Sequence, residues 1–83
     1  MKITIKYFAS IREAIGRGSE LHETEATNLA GLRDELLASS PQHASSLARG
    51  KAVRMALNQV MSDESALLTN GCEVAFFPPV TGG

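Results

Sequence analysis

The sequence predicts an α+β domain in which a mixed sheet of four or five strands packs against one main helix, with one or two short helices beside it. Three observations predict this fold class. Apolar and polar residues alternate with period two near both ends of the chain and again after residue 52. One stretch, 29–39, carries leucines at helical spacing. The four aromatic residues occupy positions 7, 8, 76 and 77, so we expect the first and last long strands to be neighbours at the sheet centre.

The first third of the chain predicts a strand, a short helix and a second strand. Residues 2–7 alternate and predict a half-buried strand. The segment Ser10-Ile11-Arg12-Glu13 has the spacing of a capping box, so a helix of one or two turns is expected to begin at Ser10 and to stop at Gly16. Residues 21–25 are more polar and predict an edge strand paired to the first.

The main helix is predicted over residues 29–39. Asn28 is a suitable N-cap, and Ser39-Ser40-Pro41 ends the helical pattern. A helix of this length is sufficient for a crossover connection that returns the chain parallel in the same sheet. Residues 42–50 have room for another short turn of helix before the next strand.

The last third of the chain predicts three strands. Residues 53–58 alternate with period two, and an Asn58-Gln59 turn leads to a very short strand at Val60-Met61. The last strand is predicted over residues 73–77 and follows a turn signal at Asn70-Gly71.

Composition and charge restrict the classes of function. The chain has 83 residues, enough for one domain core, and its 43% apolar and 20% charged residues are ordinary for a globular domain. A net charge of −1 with dispersed basic residues argues against nucleic acid. No apolar run has the ~20 residues of a membrane span and the start does not resemble a signal sequence, so we expect a cytoplasmic protein without a membrane partner. One cysteine excludes an internal disulfide.

The end of the chain is the strongest indication of chemistry. Residues 76–83 are Phe-Phe-Pro-Pro-Val-Thr-Gly-Gly. Because glycine has no Cβ, Gly82 and Gly83 fit a slot too narrow for other residues, and the Gly83 carboxylate is sterically open. We therefore expect a folded domain over residues 1–77 and a tail over residues 78–83 whose terminal carboxylate is activated and transferred. Pro78-Pro79 favours polyproline II, so the base of the tail is expected to be stiff.

These features together resemble a known family. The final ten residues, the start Ile5-Lys6-Tyr7-Phe8-Ala9-Ser10-Ile11-Arg12-Glu13 and the central Leu57-Asn58-Gln59 are similar to the small subunit of molybdopterin synthase. That family consists of ubiquitin-like sulfur carriers, so the resemblance implies a β-grasp fold. It covers essentially the whole chain and is most specific in the tail.

The resemblance also implies a reaction sequence at Gly83. An ATP-dependent adenylyltransferase forms the Gly83 acyl-adenylate, and a sulfur donor enzyme converts it to a thiocarboxylate. The tail then enters the large synthase subunit, where the sulfur passes to a cyclic pyranopterin precursor to make molybdopterin. The residues expected to thread into that subunit are Pro78, Pro79, Val80, Thr81 and Gly82.

The resemblance further implies that the chain is not an enzyme on its own. It is expected to bind no cofactor and no metal, since its sequence has no acid–base or ligand cluster, and ATP is used by the activating enzyme. Catalytic groups are expected in the large subunit, with which the chain should form a heterotetramer of two plus two subunits.

Three large apolar residues are candidates for partner binding. Because Ile3, Ile5 and Tyr7 share one face of the first strand, Phe8 is expected to point to the other face. The same alternation in the last strand places Phe77 outward. With Met61 these side chains predict an exposed docking patch of Phe8, Met61 and Phe77, at the positions where the family's hydrophobic interface lies. The alternative is that the short helix covers Phe8 and that Met61 fills a core gap.

Other functions stay open at this point. Sulfur carriers for thiamine synthesis or tRNA thiolation share the Gly-Gly end but usually lack the Phe-Phe-Pro-Pro run that precedes it here. A ubiquitin-like protein modifier would use the same adenylation and then form an amide with lysine. A plain interaction domain with an inert tail is a third alternative.

The remaining polar residues favour structural interpretations. Cys72 is expected to be a partly buried thiol beside a turn rather than a sulfur relay, since no lysine, arginine or histidine lies next to it in sequence. His22 and His43 are expected to be ordinary surface histidines, without the spacing of metal ligands. Asp63-Glu64 is expected to form a solvated loop.

Overall fold

Eight helices and strands follow one another in residues 1–79, the part of the chain that this computed structural model describes. Val80, Thr81, Gly82 and Gly83 lie outside the described residues. The elements are β1 (Lys2–Tyr7), α1 (Ala9–Ile15), β2 (Ser19–Glu23), α2 (Leu29–Leu37), α3 (Pro41–Leu47), β3 (Arg54–Leu57), β4 (Val60–Ser62) and β5 (Glu73–Phe77).

The strands form one mixed sheet in the order β2-β1-β5-β3-β4. β1 and β5 are parallel neighbours, and the other three pairings are antiparallel. β5 therefore occupies the centre beside β1, as the positions of the aromatic residues predict. β2 and β3 run in the same direction, and the segment with α2 and α3 connects them. The predicted mixed sheet and crossover are confirmed.

The start of α1 differs from the prediction. Phe8, not Ser10, is the N-cap, and it makes no side-chain capping bond. The Phe8 amide donates to the carbonyl of Phe76, so the chain stays tied to β5 for one residue beyond β1. It then turns abruptly at Ala9, whose φ is +51°. The capping-box interpretation was wrong because this tertiary bond sets the helix start; the predicted end is confirmed by Gly16 in the left-handed region.

The two later helices begin where their caps predict. The Asn28 side chain accepts a hydrogen bond from the Gly31 amide at the start of α2. Ser40 does the same for the His43 amide at the start of α3, where proline occupies the first turn. None of the helices in residues 1–79 is long and apolar enough to cross a membrane.

The core lies between the helices and the inner face of the sheet. Ile3, Ile5 and Tyr7 of β1 and Val74 and Phe76 of β5 are buried there, as their alternation predicts. The Tyr7 and Phe76 rings stack with centroids 6.1 Å apart. The helices contribute the other large groups of this core, which are Ile11, Leu29, Leu32, Leu36 and Leu47.

A polar cluster closes one end of this core. The Tyr7 hydroxyl donates to Glu20 Oε2 at 2.9 Å, and His43 Nε2 lies 3.2 Å from both oxygen atoms. On the same face, His22 Nε2 lies 3.1 Å from Glu35 Oε1. Both histidines are largely buried against carboxylates, so the expectation of ordinary surface histidines was wrong.

An ionic network on the helical side fixes the loop before β3. Arg33 is only 4% exposed and donates to the backbone carbonyls of Leu47 and Ala48. Glu64 accepts from Arg49 Nε at 2.9 Å and lies 3.5 Å from Arg33 Nη1. The 63–64 segment is therefore not simply a solvated loop, because its glutamate is held by two arginines.

We predict that Phe76→Ala lowers the free energy of unfolding by about 3–5 kcal/mol, because the ring is wholly buried and its removal leaves a cavity. Urea denaturation followed by circular dichroism measures the change. Phe77→Ala is the matched control: its side chain lies on the opposite face and is half-buried, so we expect a much smaller loss. Equal losses from the two variants would contradict the assignment of faces.

We predict that Tyr7 stays protonated until the domain unfolds at alkaline pH. Burial raises the pKa of its hydroxyl above the ordinary value, and the hydrogen bond to Glu20 raises it further. Only the unfolded chain then releases this proton near pH 10, so stability is unaffected below pH 10 and falls above it, by about 1.4 kcal/mol per pH unit.

Because Tyr7 is the single tyrosine, tyrosinate absorbance reports on this residue alone. Its titration should coincide with the loss of secondary structure, and Tyr7→Phe should make the alkaline limb of the stability curve shallower. Smooth ionisation near pH 10 with the fold intact would refute the prediction.

Candidate functional site

The outer face of the sheet, opposite the helices, carries the three apolar residues that the sequence singles out. In the β3–β5 pairing Arg54 lies opposite Phe77, and in the β3–β4 pairing Ala56 lies opposite Met61. Residues that face each other across paired strands share one side of the sheet. Phe77 and Met61 therefore project away from the core, on neighbouring rows of the same surface.

Phe8 joins this surface from the end of β1. Its ring stacks on that of Phe77, with centroids 4.7 Å apart and planes inclined by 11°. Phe8 is 40% exposed and Met61 is 56% exposed, whereas Phe77 is half-buried beneath its neighbours. We call Phe8, Met61 and Phe77 the apolar patch. Helix α1 does not cover Phe8, and Met61 does not fill the core.

The apolar patch borders a shallow cavity at the place where the tail begins. The cavity has a volume of about 290 Å³, and its lining residues are Phe8, Ala9, Arg54, Met61, Phe77 and Pro78. Because Pro78 directly follows β5, the chain leaves the sheet beside the patch. The second tail proline, Pro79, is exposed. The rest of the predicted tail, from Val80 to Gly83, lies outside the described residues.

The charged residues of the outer face are few. Lys6 and Glu73 pair with each other at 3.5 Å on adjacent strands. Arg54 is exposed at the border of the patch. Arg54 was not among the residues predicted to bind a partner, although the same alternation that buries Met55 places Arg54 on the outer face.

Residues 1–79 contain no group of three or more histidine, cysteine or acidic side chains that could hold a metal ion. Cys72 is buried more fully than expected and packs within the core cluster. Its thiol therefore cannot meet a partner's sulfur group on the surface of the folded domain.

The comparisons with known proteins agree with this geometry. The model of the ThiS family matches residues 5–83. The molybdopterin synthase sulfur carrier subunit of Escherichia coli is 38% identical over 81 residues, which cover 98% of this chain and 99% of that protein. The subunit of the same description from Mycobacterium tuberculosis is 34% identical over 85 residues, covering 100% and 99%.

Solved structures share the fold over the whole chain. The small archaeal modifier protein SAMP1 from Haloferax volcanii superposes with a TM-score of 0.83 at 22% identity and full coverage of both chains. A chain from the complex of subunits 1 and 2 of the molybdopterin-converting factor from Helicobacter pylori superposes with a TM-score of 0.72 at 24% identity, again with full coverage of both. These likenesses confirm the ubiquitin-like β-grasp fold.

Proposed function

The chain belongs to the ThiS family, and from this membership we propose that it is the sulfur carrier of molybdopterin synthase in molybdenum cofactor biosynthesis. The observation that carries the proposal is the full-length match, at 34–38% identity, to three proteins described as molybdopterin synthase sulfur carrier subunits. The Phe-Phe-Pro-Pro-Val-Thr-Gly-Gly end supports it.

We place the chemistry at the carboxylate of Gly83. A carboxylate is a poor acyl donor, so an adenylyltransferase first uses ATP to form the acyl-adenylate and release pyrophosphate. The outer sulfur of a persulfide on a donor enzyme then displaces AMP and forms an acyl disulfide. A second thiol on the donor or activating enzyme cleaves that disulfide, which releases the thiocarboxylate and leaves the two enzyme sulfur atoms joined as a disulfide. The thiocarboxylate is a soft anionic nucleophile at the end of a narrow tether, suited to deliver sulfur to a pyranopterin precursor inside the large subunit.

The apolar patch supplies the binding energy that the tail lacks. Residues 78–83 span at most about 20 Å when extended, and ordering them inside a channel costs conformational entropy. Burying Phe8, Met61 and the rest of Phe77 against the large subunit offsets that cost. We therefore propose that the patch docks on the large subunit, in an assembly of two small and two large subunits.

A ubiquitin-like modifier is the alternative that the fold also accommodates, since SAMP1 is described as a small archaeal modifier protein. At 22% identity that likeness concerns the fold alone. The two functions differ in their products: a modifier forms amides with lysine side chains, whereas a sulfur carrier ends in a thiocarboxylate that hydrolyses or transfers its sulfur.

We predict that incubation with ATP, its adenylyltransferase and a persulfide donor replaces one oxygen of Gly83 by sulfur. Intact-mass spectrometry should show the corresponding gain, and omission of ATP should abolish it. Deleting Gly83, or adding one residue after it, should prevent the gain and leave the fold unchanged, because the core of residues 1–79 is built without Gly83. Lysine conjugates in place of the thiocarboxylate would favour the modifier.

We predict that Phe77→Ala weakens binding to the large subunit of molybdopterin synthase by roughly tenfold to a hundredfold, the loss expected from one buried apolar side chain. Isothermal titration calorimetry measures the dissociation constant. Leu21→Ala is the matched control, because Leu21 is an exposed apolar residue on the same sheet face at the distant strand β2. If both variants bind like the unsubstituted chain, the patch is not the docking surface.

A further inference from the structure

A cation lies within the apolar surface that the proposed function assigns to docking. Arg54 faces Phe77 across the β3–β5 pairing, and with Met61 and Pro78 it lines the cavity at the base of the tail. Its side chain is exposed and makes no hydrogen bond or ion pair with any residue in 1–79. Any protein that covers the apolar patch therefore also covers this guanidinium group.

The two carboxylates that line a cavity together with Arg54 already have partners. Arg54 also lines an open cavity of about 690 Å³ whose wall includes Asp63 and Glu64. Asp63 accepts hydrogen bonds from the amide and hydroxyl of Ser65. Glu64 is held by two other arginines in the ionic network described above. The fold thus leaves the guanidinium of Arg54 available to a group from outside.

We propose that the large subunit of molybdopterin synthase, when it docks on the apolar patch, presents a carboxylate to Arg54. This inference rests on the proposed function, since it concerns the same docking event. It adds the chemistry of the partner. The partner's docking face is apolar and carries one aspartate or glutamate that meets Arg54 at the start of β3.

The reason is the cost of removing a charge from water. An uncompensated guanidinium that a docked protein covers loses its hydration, and that loss opposes the gain from burying Phe8 and Phe77. A carboxylate is the side-chain group that best matches the fork of an arginine, because it accepts two parallel hydrogen bonds. The apolar rings beside Arg54 exclude water and so strengthen such a pair.

The same pair gives selectivity. Apolar side chains alone fit many hydrophobic surfaces, whereas an arginine among them disfavours every surface that lacks an anion at that point. Opposite charges also raise the association rate of the partners, and this effect weakens as the salt concentration rises. The charge beside the apolar residues therefore has two effects. It orients the docked domain, and it disfavours binding to unrelated apolar surfaces.

The test compares Arg54→Glu and Arg54→Met with the unsubstituted chain in binding to the large subunit of molybdopterin synthase from the same organism. We expect Arg54→Glu to weaken binding at least about tenfold in low salt and by a smaller factor in high salt. In low salt Arg54→Met should weaken binding less than Arg54→Glu does. Lys2→Glu is the matched control, since it makes the same charge change at the far end of β1 and should leave binding unchanged.

Charge reversal on the partner identifies the carboxylate. Substituting each acidic residue of the large subunit's docking face by arginine, one at a time, should reveal one variant that restores the binding of Arg54→Glu. The inference is overturned if none of these variants restores the binding of Arg54→Glu. It is also overturned if Arg54→Glu binds like the unsubstituted chain while Phe77→Ala binds more weakly. In both cases the proposed function survives. If the unsubstituted chain does not bind the large subunit, the proposed function fails and the inference fails with it.

Discussion

The parallel pairing of β1 and β5 at the centre of the sheet determines both faces of the molecule. In this register Tyr7 lies beside Phe76, and their rings stack on the inner face. Because side chains alternate along a strand, the next residues, Phe8 and Phe77, meet on the outer face and stack there. One pairing thus produces a core contact and a surface contact. A slip of one residue would exchange them and bury the side chains that now form the apolar patch.

The helical layer is held to the sheet by paired polar groups as well as by leucines. His43 of α3 reaches Glu20 on edge strand β2, and Glu35 of α2 reaches His22 on the same strand. Partly buried polar pairs are a poor guide to net stability, but each of these requires one particular placement of helix over strand. Arg33 acts similarly at the end of α3, where it donates to the carbonyls of Leu47 and Ala48.

The sequence was sufficient for features with a local cause. Period-two alternation predicted β1 and β3 and the inner faces of β1 and β5, Asn28 predicted the start of α2, and Gly16 predicted the end of α1. What it could not predict depends on residues distant along the chain. The start of α1 is set by a bond to Phe76, and His43 pairs with a glutamate 23 residues earlier. Neither partner can be identified from spacing, because the fold alone brings them together.

The geometry also restricts how two enzymes can use one tail. Under the proposed function an adenylyltransferase and the large synthase subunit must each reach Gly83, the last of the six residues 78–83 that follow β5 and that span at most about 20 Å when extended. Each enzyme must therefore approach the same end of the sheet, where the apolar patch and Arg54 form the available surface. Two proteins cannot cover that surface at once. Activation and sulfur delivery then become sequential events, with dissociation from the first enzyme required before docking on the second.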